Sequence, residues 1–559
     1  MHRFLITALL ATSLLPSVAA TAADVELVIE STPLHALDKR LFGQFLERPF
    51  ASAEKGERGP EGYVDANGDL PEHIVTELAA MRIPVVRFPA GTTVDYSDWT
   101  YLIDRAPGRA NEMRGPTRYR DTDIVATTRF GWHEYARLAK HLGWETIAAV
   151  NLLDGLAKRK PLAEAALHAA GLVAYLNAPV GAKLPEGMPN WPAIRAANGH
   201  PEPFNMRYIQ LGNEWFMGEF KAAVKAAVGD LPPEQLGAWY AEVLRAHVLA
   251  IRAVDPKIEI IIDANGRAGG HFLPDPVLRK EVRYVAIHVY SPQATDKALT
   301  RKKVTVSTED IAASDVSADE FWQSWTAMPG ICDEAGQNQG FGAQRLALAT
   351  SLGYRVAATE WNWASWGKVS DEAMSRQRRA AGIGAAQFIH GLFRQGDLID
   401  IAVQSIVLGT GWNFSALKAA PDGQLIHSPQ GQMTSFYNTH HGKSLLKSKL
   451  TGVTTTPGTL SIAWSFAQPA VAQIDALATG GDGRYIAHFV NRSMTAVPVT
   501  ITTPSTATTA TIHRLLPCAT EAPDALSWFT TDSLTTPVSK GACRVEVPAA
   551  AVIAVEFAP

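Results

Sequence analysis

Short apolar runs alternate with longer amphipathic segments between about residues 42 and 410 of the 559-residue chain. This alternation is typical of a parallel α/β fold, whose buried strands are apolar along their whole length. The runs that we predict as strands are 41–46, 84–88, 146–150, 208–211, 259–262, 284–287, 355–358 and 401–407. The segments with apolar residues at spacings of three and four, which we predict as helices, include 71–81, 131–142, 233–254 and 373–394.

Eight strands separated by helices predict a (β/α)8 TIM barrel over residues 41–438, enlarged by long loops beyond the usual ~250 residues. An open doubly wound sheet is the competing topology. It is disfavoured because no glycine-rich dinucleotide-binding fingerprint follows the first strand.

The pattern changes after about residue 440, where Thr, Val, Ala and Pro occur in short alternating runs such as 485–490 and 497–502. Little helical periodicity remains there, so residues 439–559 are predicted to form a β-sandwich domain. Residues 25–29 are also strand-like, and we expect the N-terminal strand within residues 23–40 to complete the sandwich.

The first residues are typical of a secretory signal peptide. His2 and Arg3 form a basic start, residues 4–15 are apolar, and Ala20-Thr21-Ala22 offers a small-residue cleavage site. We therefore expect residues 1–22 to be removed and the protein to be secreted or periplasmic. No later stretch approaches the roughly 20 apolar residues needed to span a bilayer, so no membrane association is expected after cleavage.

Composition excludes several classes of function. Charged residues make up 19% of the chain and the formal net charge is −4, which argues against nucleic acid as a partner. Three cysteines, Cys332, Cys518 and Cys543, are too few for a disulfide scaffold or a zinc site of several thiolates, although Cys518 and Cys543 could pair. Motifs of metalloproteases, nucleotide hydrolases, esterases and dehydrogenases are absent from the sequence, and we expect no cofactor and no metal.

Two glutamates follow predicted strands in similar surroundings. Strand 208–211 leads into Gly212-Asn213-Glu214-Trp215, and strand 355–358 leads into Thr359-Glu360-Trp361-Asn362. The C-terminal ends of barrel strands gather at one face, so the two carboxyl groups can meet there. Cleaving a glycosidic bond needs such a pair, because one carboxylic acid protonates the leaving oxygen while the other carboxylate attacks the sugar. The pattern therefore predicts a retaining glycoside hydrolase.

These motifs resemble those of glycoside hydrolase family 51, mainly α-L-arabinofuranosidases, in the clan of (β/α)8 retaining enzymes. Further segments are similar in the same order, and they are Leu41-Phe42-Gly43-Gln44-Phe45-Leu46-Glu47, Val85-Val86-Arg87-Phe88-Pro89-Ala90-Gly91, Ile287-His288-Val289-Tyr290 and Phe436-Tyr437-Asn438-Thr439-His440-His441-Gly442. The resemblance extends over nearly the whole chain after the signal peptide.

The resemblance implies a role for each matching residue. Glu214 would be the acid/base and Glu360 the nucleophile. The substrate-binding set would comprise Glu47 on the sugar hydroxyls, Asn213 on the hydroxyl next to the anomeric centre, His288, Tyr290 orienting Glu360, and Arg87 keeping Glu360 ionised. From the residues alone, a structural ion pair remains the alternative for Arg87, and a core histidine remains the alternative for His288.

The chain departs from the family pattern around the sugar. Ala90-Gly91-Thr92 stands where the family has Gly-Gly-Asn, so the shorter Thr92 replaces an amide. Gln404 is a candidate for the glutamine of the eighth strand, and Trp412 is a candidate pocket wall. Recognition of hydroxyl groups depends on individual polar contacts, so the catalytic pair is defined more closely than the sugar.

The function that we predict is an exo-acting α-L-arabinofuranosidase acting on plant-type polysaccharide or its oligomers. The resemblance also makes a homo-oligomer plausible. One alternative is an endo-glucanase or xylanase with an open cleft lined by aromatic residues such as Trp215, Trp361 or Trp363. The other alternative is a non-catalytic carbohydrate-binding protein.

Overall fold

The computed structural model describes residues 24–47, 63–109, 113–115, 117–118, 125–126, 128–215, 217–263, 269–293, 322, 326, 343–365, 371–409, 415–419, 423–457, 470–518 and 527–558. Residues 1–22, which carry the predicted signal peptide, lie outside this range, as do Cys332 and Trp412. Among the described residues, no helix has both the length and the apolar character needed to cross a membrane.

The strands alternate with helices in the first three quarters of the chain and follow one another closely in the last quarter. In chain order they are β1 (Val25–Ala36), β2 (Gly43–Glu47), β3 (Val85–Ala90), β4 (Thr117–Arg118), β5 (Val125–Ala126), β6 (Glu145–Val150), β7 (Tyr208–Leu211), β8 (Glu259–Asp263), β9 (Tyr284–Gln293), β10 (Arg355–Ser365), β11 (Ile399–Gln404), β12 (Leu408–Gly409), β13 (Leu417–Ala419), β14 (Leu425–His427), β15 (Ser444–Thr451), β16 (Thr455–Pro457), β17 (Ala470–Ala472), β18 (Ile474–Gly481), β19 (Arg484–Asn491), β20 (Val497–Thr502), β21 (Thr509–Pro517), β22 (Phe529–Pro537), β23 (Ala542–Val547) and β24 (Val552–Phe557).

Four of the helices coincide closely with the four segments predicted from apolar periodicity. In chain order they are α1 (Glu72–Ala80), α2 (Trp132–Leu142), α3 (Leu153–Leu156), α4 (Leu162–Asn177), α5 (Trp191–Ala197), α6 (Gly218–Val228), α7 (Pro233–Val254), α8 (Gly269–Phe272), α9 (Pro276–Glu281), α10 (Ala343–Ser351), α11 (Asp371–Arg394) and α12 (Pro429–Thr439), and 3-10 turns span Lys39–Phe42, Thr92–Asp95 and Trp99–Leu102. Local signals set their ends. α7 begins at a proline, whose missing N–H costs nothing there, and α2 ends at Gly143 in the left-handed conformation.

Eight parallel strands of the described chain close into a barrel in the order β10-β11-β2-β3-β6-β7-β8-β9. They are the eight strands predicted from the sequence, and the predicted TIM barrel is confirmed. One buried cluster takes residues from all eight strands, among them Phe45, Val85, Ile147, Tyr208 and Ile261, and forms the inner core. Residues at the alternate positions pack outward against the helices, as the two-residue period of a strand requires.

The C-terminal strands form a second unit around a separate core. Nine strands make one continuous sheet in the order β22-β21-β24-β19-β18-β15-β1-β20-β23. Buried residues from both halves of this order, such as Ile512 on β21 and Val545 on β23, share this core, so the sheet folds over its own apolar side chains as the two layers of a β-sandwich do. As predicted, the N-terminal strand belongs to this unit, since β1 pairs antiparallel with β15 and parallel with β20.

A buried polar cluster joins the barrel to this sheet. Asp475 on β18 accepts hydrogen bonds from Arg394 at 2.5 Å and from His390 at 2.9 Å, both on α11. The hydroxyl of Tyr437 on α12 lies 2.8 Å from the other ring nitrogen of His390. Asp475, His390 and Tyr437 are buried and Arg394 is mostly covered, which fixes α11 and α12 against β18.

The two described cysteines are free thiols. Cys543 points into the core of the sheet, while Cys518 follows β21 and contacts the carbonyl of Ser527. The pairing considered from the sequence is therefore not made.

Candidate active site

The turn after β7 carries Asn213 and Glu214 to the C-terminal rim of the barrel. It leaves the strand through two residues in the left-handed region, Gly212 with φ 72° and Glu214 with φ 49°. A glutamate rarely adopts this conformation, because its Cβ then crowds the backbone. Such a strained residue must be held by its surroundings, and this often marks a functional site.

Glu360 reaches the same rim through a β-bulge in β10. Ala358 pairs with Ile287 on β9, but the next pair along the strands is Glu360 with His288, so Thr359 is an extra residue. A bulge of this kind re-aims the side chains that follow it. Without it, the two-residue alternation would turn Glu360 outward, as it does Ala358.

The structure brings the two glutamates together around His288. Nδ1 of His288 lies 2.8 Å from Oε1 of Glu214 and 3.6 Å from Oε2 of Glu360. A carboxylate oxygen of each glutamate and a ring nitrogen of His288 all lie within 4.8 Å of one another. Retaining glycosidases keep their carboxyl groups about 5 Å apart, whereas inverting enzymes need at least ~6.5 Å to admit a water molecule. The spacing fits direct attack by one carboxylate.

The surroundings move the pKa values of the two carboxyl groups in opposite directions. Burial raises the pKa of Glu214, and the negative charge of Glu360 raises it further against the lowering effect of His288. Burial alone would also raise the pKa of Glu360, but the positive charges of His288 and Arg87 and hydrogen bonds from Tyr290 and Arg87 hold this pKa below its ordinary value. The shifts favour the protonated form of Glu214 and the ionised form of Glu360, as acid and nucleophile require.

Arg87 on β3 links the nucleophile candidate to Asn213. Its side chain is completely buried, and it donates to Glu360 at 2.8 Å and to Asn213 Oδ1 at 2.7 Å. The planar guanidinium holds both acceptors in one fixed geometry. Arg87 therefore lies in the candidate active site, where its ion pair with Glu360 also ties β3 to β10.

Tyr290 and His288 project from β9 on the inner side of the barrel. Tyr290 donates to Oε2 of Glu360 at 2.6 Å, and its hydroxyl also lies 2.8 Å from Ser405 Oγ. Nε2 of His288 lies 3.0 Å from Thr359 Oγ1. Burial lowers the pKa of His288, but the charge of Glu360 and the hydrogen bond and charge of Glu214 raise it above its ordinary value, which favours an imidazolium between two carboxyl groups.

Glu47 and Thr92 occupy neighbouring positions on the rim. Glu47 ends β2 after a register shift against β3, is buried, and packs directly on Gly91. Thr92 follows Gly91 and lies half-buried at the start of the 3-10 turn Thr92–Asp95.

The structure places Gln404 away from the candidate sugar pocket, and its predicted role in binding is corrected. Ile401 and Val403 on the same strand belong to the inner core, so the alternation of the strand turns Gln404 outward. Its amide oxygen accepts from Gln44 at 2.8 Å and from Thr434 at 3.0 Å. Trp412 lies outside the described residues and stays a prediction.

The tryptophans considered as the lining of an open cleft pack in the core. Trp215, Trp361 and Trp363 are completely buried, and Trp361 stacks on Phe388 of α11. They face the helices rather than the rim, so they do not line a cleft for a polymer.

Two carboxylates that the sequence reasoning missed hold the turn of the acid/base candidate. Asp95 accepts the N–H of Asn213 at 2.6 Å, and Asp263 accepts the N–H of Glu214 at 2.9 Å. Asp263 directly follows the predicted strand 259–262 and could have been found by the rule that singled out the two glutamates. Asp95 lies in a turn, where no sequence pattern marks it.

Histidines and carboxylates close enough to share a cation form two groups among the described residues. One is the catalytic candidate set Glu214, His288 and Glu360, and the other is His440, His513 and Glu556. In the second group the carboxylate already pairs with Arg484 at 2.7 Å, and the two imidazole rings stack with centroids 4.0 Å apart. A stacked pair beside an arginine is a poor donor set for a cation.

A family model described as the alpha-L-arabinofuranosidase 1 domain matches residues 77–305. Among curated proteins, the chain is 26% identical over 345 residues to an intracellular exo-α-(1→5)-L-arabinofuranosidase of Streptomyces lividans, covering 58% of this chain and 45% of the relative. It is 29% identical over 266 residues to an exo-α-(1→6)-L-arabinofuranosidase of Bifidobacterium longum, covering 45% of this chain and 44% of the relative. The chain thus matches less than half the length of these relatives.

Among solved structures, the fold is similar to that of a thermostable family 51 α-L-arabinofuranosidase from Thermotoga petrophila. The TM-score is 0.66 at 19% sequence identity, covering 95% of this chain and all of the other. The likeness shows that the barrel and the C-terminal sheet are arranged in the same fold over nearly the whole length. In its matching domain, its curated relatives and its fold, the chain is similar to α-L-arabinofuranosidases, among them a solved enzyme of glycoside hydrolase family 51.

Proposed function

We propose that the protein is a retaining, exo-acting α-L-arabinofuranosidase that removes terminal sugars from plant-type polysaccharide or oligosaccharides. The observation that carries the proposal is the pair Glu214 and Glu360, whose carboxylate oxygens lie within 4.8 Å and whose pKa values are shifted in opposite directions. The relatives named above support the choice of sugar.

In the first step of the proposed reaction, Glu360 attacks the anomeric carbon while Glu214 gives its proton to the departing oxygen. The glycosidic bond breaks as an ester bond to Glu360 forms. In the second step Glu214, now ionised, takes a proton from water, and the water oxygen displaces Glu360 from the sugar. Both carboxyl groups return to their starting states.

The neighbouring residues support these steps. Arg87 and Tyr290 stabilise the ionised form of Glu360 before attack. Asn213, held by Arg87, is placed to bind the hydroxyl next to the anomeric carbon, and Glu47 is placed to bind another sugar hydroxyl. His288 shares a hydrogen bond with Glu214 and holds that carboxyl group beside the nucleophile.

Two variants test the assignment on a series of aryl α-L-arabinofuranosides. Glu360→Ala should lose turnover, and azide should restore it with a product of inverted configuration. Glu214→Ala should keep kcat/KM on dinitrophenyl substrates, whose departure needs no proton, and lose it on poor leaving groups. Glu145→Ala is the matched control, because Glu145 pairs with Arg40 and Arg207 at the other end of the barrel. Equal losses in all three variants would contradict the proposal.

A comparison of aryl arabinofuranosides with a glucan or xylan polymer separates the exo-acting enzyme from its alternatives. An endo-glucanase or xylanase would release reducing ends from the polymer and leave aryl arabinofuranosides intact. A binding protein would retain sugars without turning over any glycoside. We expect turnover of the arabinofuranoside and no cleavage within the polymer.

Export and assembly also remain proposals. The basic start, apolar stretch and small-residue site within residues 1–22 support export, although the Streptomyces relative named above is described as intracellular. N-terminal sequencing after expression in a secretion-competent host should find Ala23 first, and a retained Met1 would contradict export. Light scattering of the purified protein tests the homo-oligomer.

A further inference from the structure

The N–H groups of Asn213 and Glu214 are bound by two carboxylates from opposite sides. Asp95, in the turn after β3, accepts from Asn213, and Asp263, at the end of β8, accepts from Glu214. Both carboxylates are completely buried. Successive amides of one turn are therefore each held by a charged group on a different neighbouring element.

Asp95 joins three loops of the rim. Its second oxygen accepts from the N–H groups of Leu152 at 2.7 Å and Leu153 at 3.1 Å, in the segment after β6. Its backbone carbonyl accepts from the side chain of Asn151 at 3.0 Å. The loops after β3, β6 and β7 thus share one buried carboxylate.

Keeping the side chain of Asp95 ionised in this buried position costs free energy. Burial raises the pKa of Asp95 to about 6, even though hydrogen bonds from Leu152, Asn213 and Leu153 lower it. A neutral amide could bind only part of this donor set, because its NH₂ group would face another N–H. The site is therefore specific for an acceptor with two oxygens.

The conformation of Glu214 explains why the turn needs such support. Its φ of 49° is unfavourable for a residue with a side chain. A relaxed backbone would rotate the side chain of Glu214 away from His288 and Glu360. The carbonyl of Glu214 is also bound, since it accepts from Met217 at 2.8 Å, so the residue is fixed on both sides.

We propose that Asp95 and Asp263 are positioning residues that hold the Asn213–Glu214 turn in its left-handed conformation and so place the acid/base carboxyl group opposite the nucleophile. This inference rests on the proposed glycosidase function. Asp263 acts mainly on Glu214, and hence on protonation of the leaving group. Asp95 acts on Asn213, and hence on binding of the sugar in every transition state.

The dependence of kcat/KM on the leaving group separates positioning from folding. In Asp263→Ala, kcat/KM should fall about 10- to 100-fold on aryl arabinofuranosides with poor leaving groups, the loss expected for one hydrogen bond to a charged group. Dinitrophenyl substrates need no proton and should lose less than about threefold. Asp263→Asn keeps one acceptor and should lie between wild type and Asp263→Ala. Asp95→Asn should lower kcat/KM on all substrates alike.

The matched control is Asp400→Asn. Asp400 is a part-buried carboxylate at the start of the last barrel strand, where it binds Arg355 and Tyr284 far from the rim. This variant should lose stability without changing the dependence on the leaving group. Active-site titration with a slow covalent inactivator corrects every rate for misfolded protein. If Asp263→Ala does not fold, the comparison is made with Asp263→Asn.

The outcomes distinguish this inference from the proposed function. If the wild type turns over no glycoside, the proposed function fails and the inference fails with it. A second outcome is that the wild type is active while kcat/KM of both Asp263 variants, corrected for misfolded protein, depends on the leaving group as in the wild type. In that case the positioning role is overturned and the proposed function stands. A steeper dependence in the Asp263 variants alone supports the positioning role.

Discussion

Tyr290 donates a hydrogen bond of 2.6 Å to Oε2 of Glu360, the residue that we propose as the nucleophile. The bond stabilises the ionised carboxylate and is one of the interactions that lower its pKa against burial. Tyr290→Phe should therefore raise the pKa of Glu360 and move the acidic limb of the pH profile of kcat/KM to higher pH. Because a hydrogen bond to a charged group contributes about 1.5–3 kcal/mol, kcat/KM at the optimum should fall roughly 10- to 100-fold.

Tyr354→Phe is the control for this prediction. Tyr354 is also a buried tyrosine, and it donates to the carbonyl of Leu273 at 2.7 Å away from the rim. Its loss should lower the stability of the protein and leave the pH profile unchanged. An unshifted acidic limb in Tyr290→Phe would show that the hydroxyl does not control the ionisation of Glu360.

Gly91 leaves room for Glu47. A Cβ atom added at Gly91 would lie 2.1 Å from Oε1 of Glu47, so Gly91→Ala must displace that carboxylate. We expect kcat/KM to fall about tenfold or more, as for the loss of a hydrogen bond between a charged group and a sugar hydroxyl. Kinetics on an aryl arabinofuranoside measure the loss.

Gly229 provides a matched control because its backbone is nearly the same. Gly91 has φ 76° and ψ −168°, and Gly229 has φ 86° and ψ −179°, a region that is essentially restricted to glycine. Nothing lies within 4 Å of a Cβ added at Gly229. Both alanine variants should lose roughly 1–3 kcal/mol of stability, but only Gly91→Ala should lose activity. Similar activity in the two variants would argue against a role for Glu47.

The buried pair Asp475–Arg394 should make the junction between barrel and sheet sensitive to acid. Burial alone would raise the pKa of Asp475, but Arg394 and His390 hold it well below its ordinary value of 3.8. Because the folded pKa is below the unfolded one, the stabilisation is present at neutral pH and is lost as the pH falls below about 4. Asp475→Asn should lose about 3–5 kcal/mol at pH 7, and its difference from wild type should narrow below pH 4.

Urea unfolding at pH 7 and pH 3 measures this difference. Asp532→Asn is the control, since Asp532 and Arg514 form an ion pair in the same sheet that is largely exposed. An exposed pair contributes about 0–1 kcal/mol, so this variant should lie close to wild type at both pH values. A difference for Asp475→Asn that is independent of pH would contradict the assignment.

The barrel could be predicted because its signal is repeated along the chain. Each strand from β2 to β11 that forms the barrel is an apolar run, and helical periodicity separates them. The order of the strands in the C-terminal sheet could not be predicted, because local alternation assigns β1 to this unit but does not show that it pairs with β15 and β20.

Three residues of the candidate site show what local sequence patterns can and cannot predict. The two-residue period of a strand turns Gln404 outward, on the same side of β11 as Ala402. Applying this period would have excluded Gln404 from the sugar pocket. The same period would have placed Glu360 outward, but the extra residue Thr359 turns it to the rim. The support from Asp95 depends on a contact between residues 118 positions apart in the chain, which no local pattern contains.

The central claim is that Glu360 forms a covalent bond to the sugar while Glu214 provides the proton. A 2-deoxy-2-fluoro arabinofuranoside with a dinitrophenyl leaving group should be trapped on the enzyme, because the fluorine slows both steps and the activated leaving group spares the first. Mass spectrometry of the digested protein should then find one fluorosugar per chain, attached to Glu360. A label on any other residue, or inverted product from an enzyme that never becomes labelled, would contradict the account.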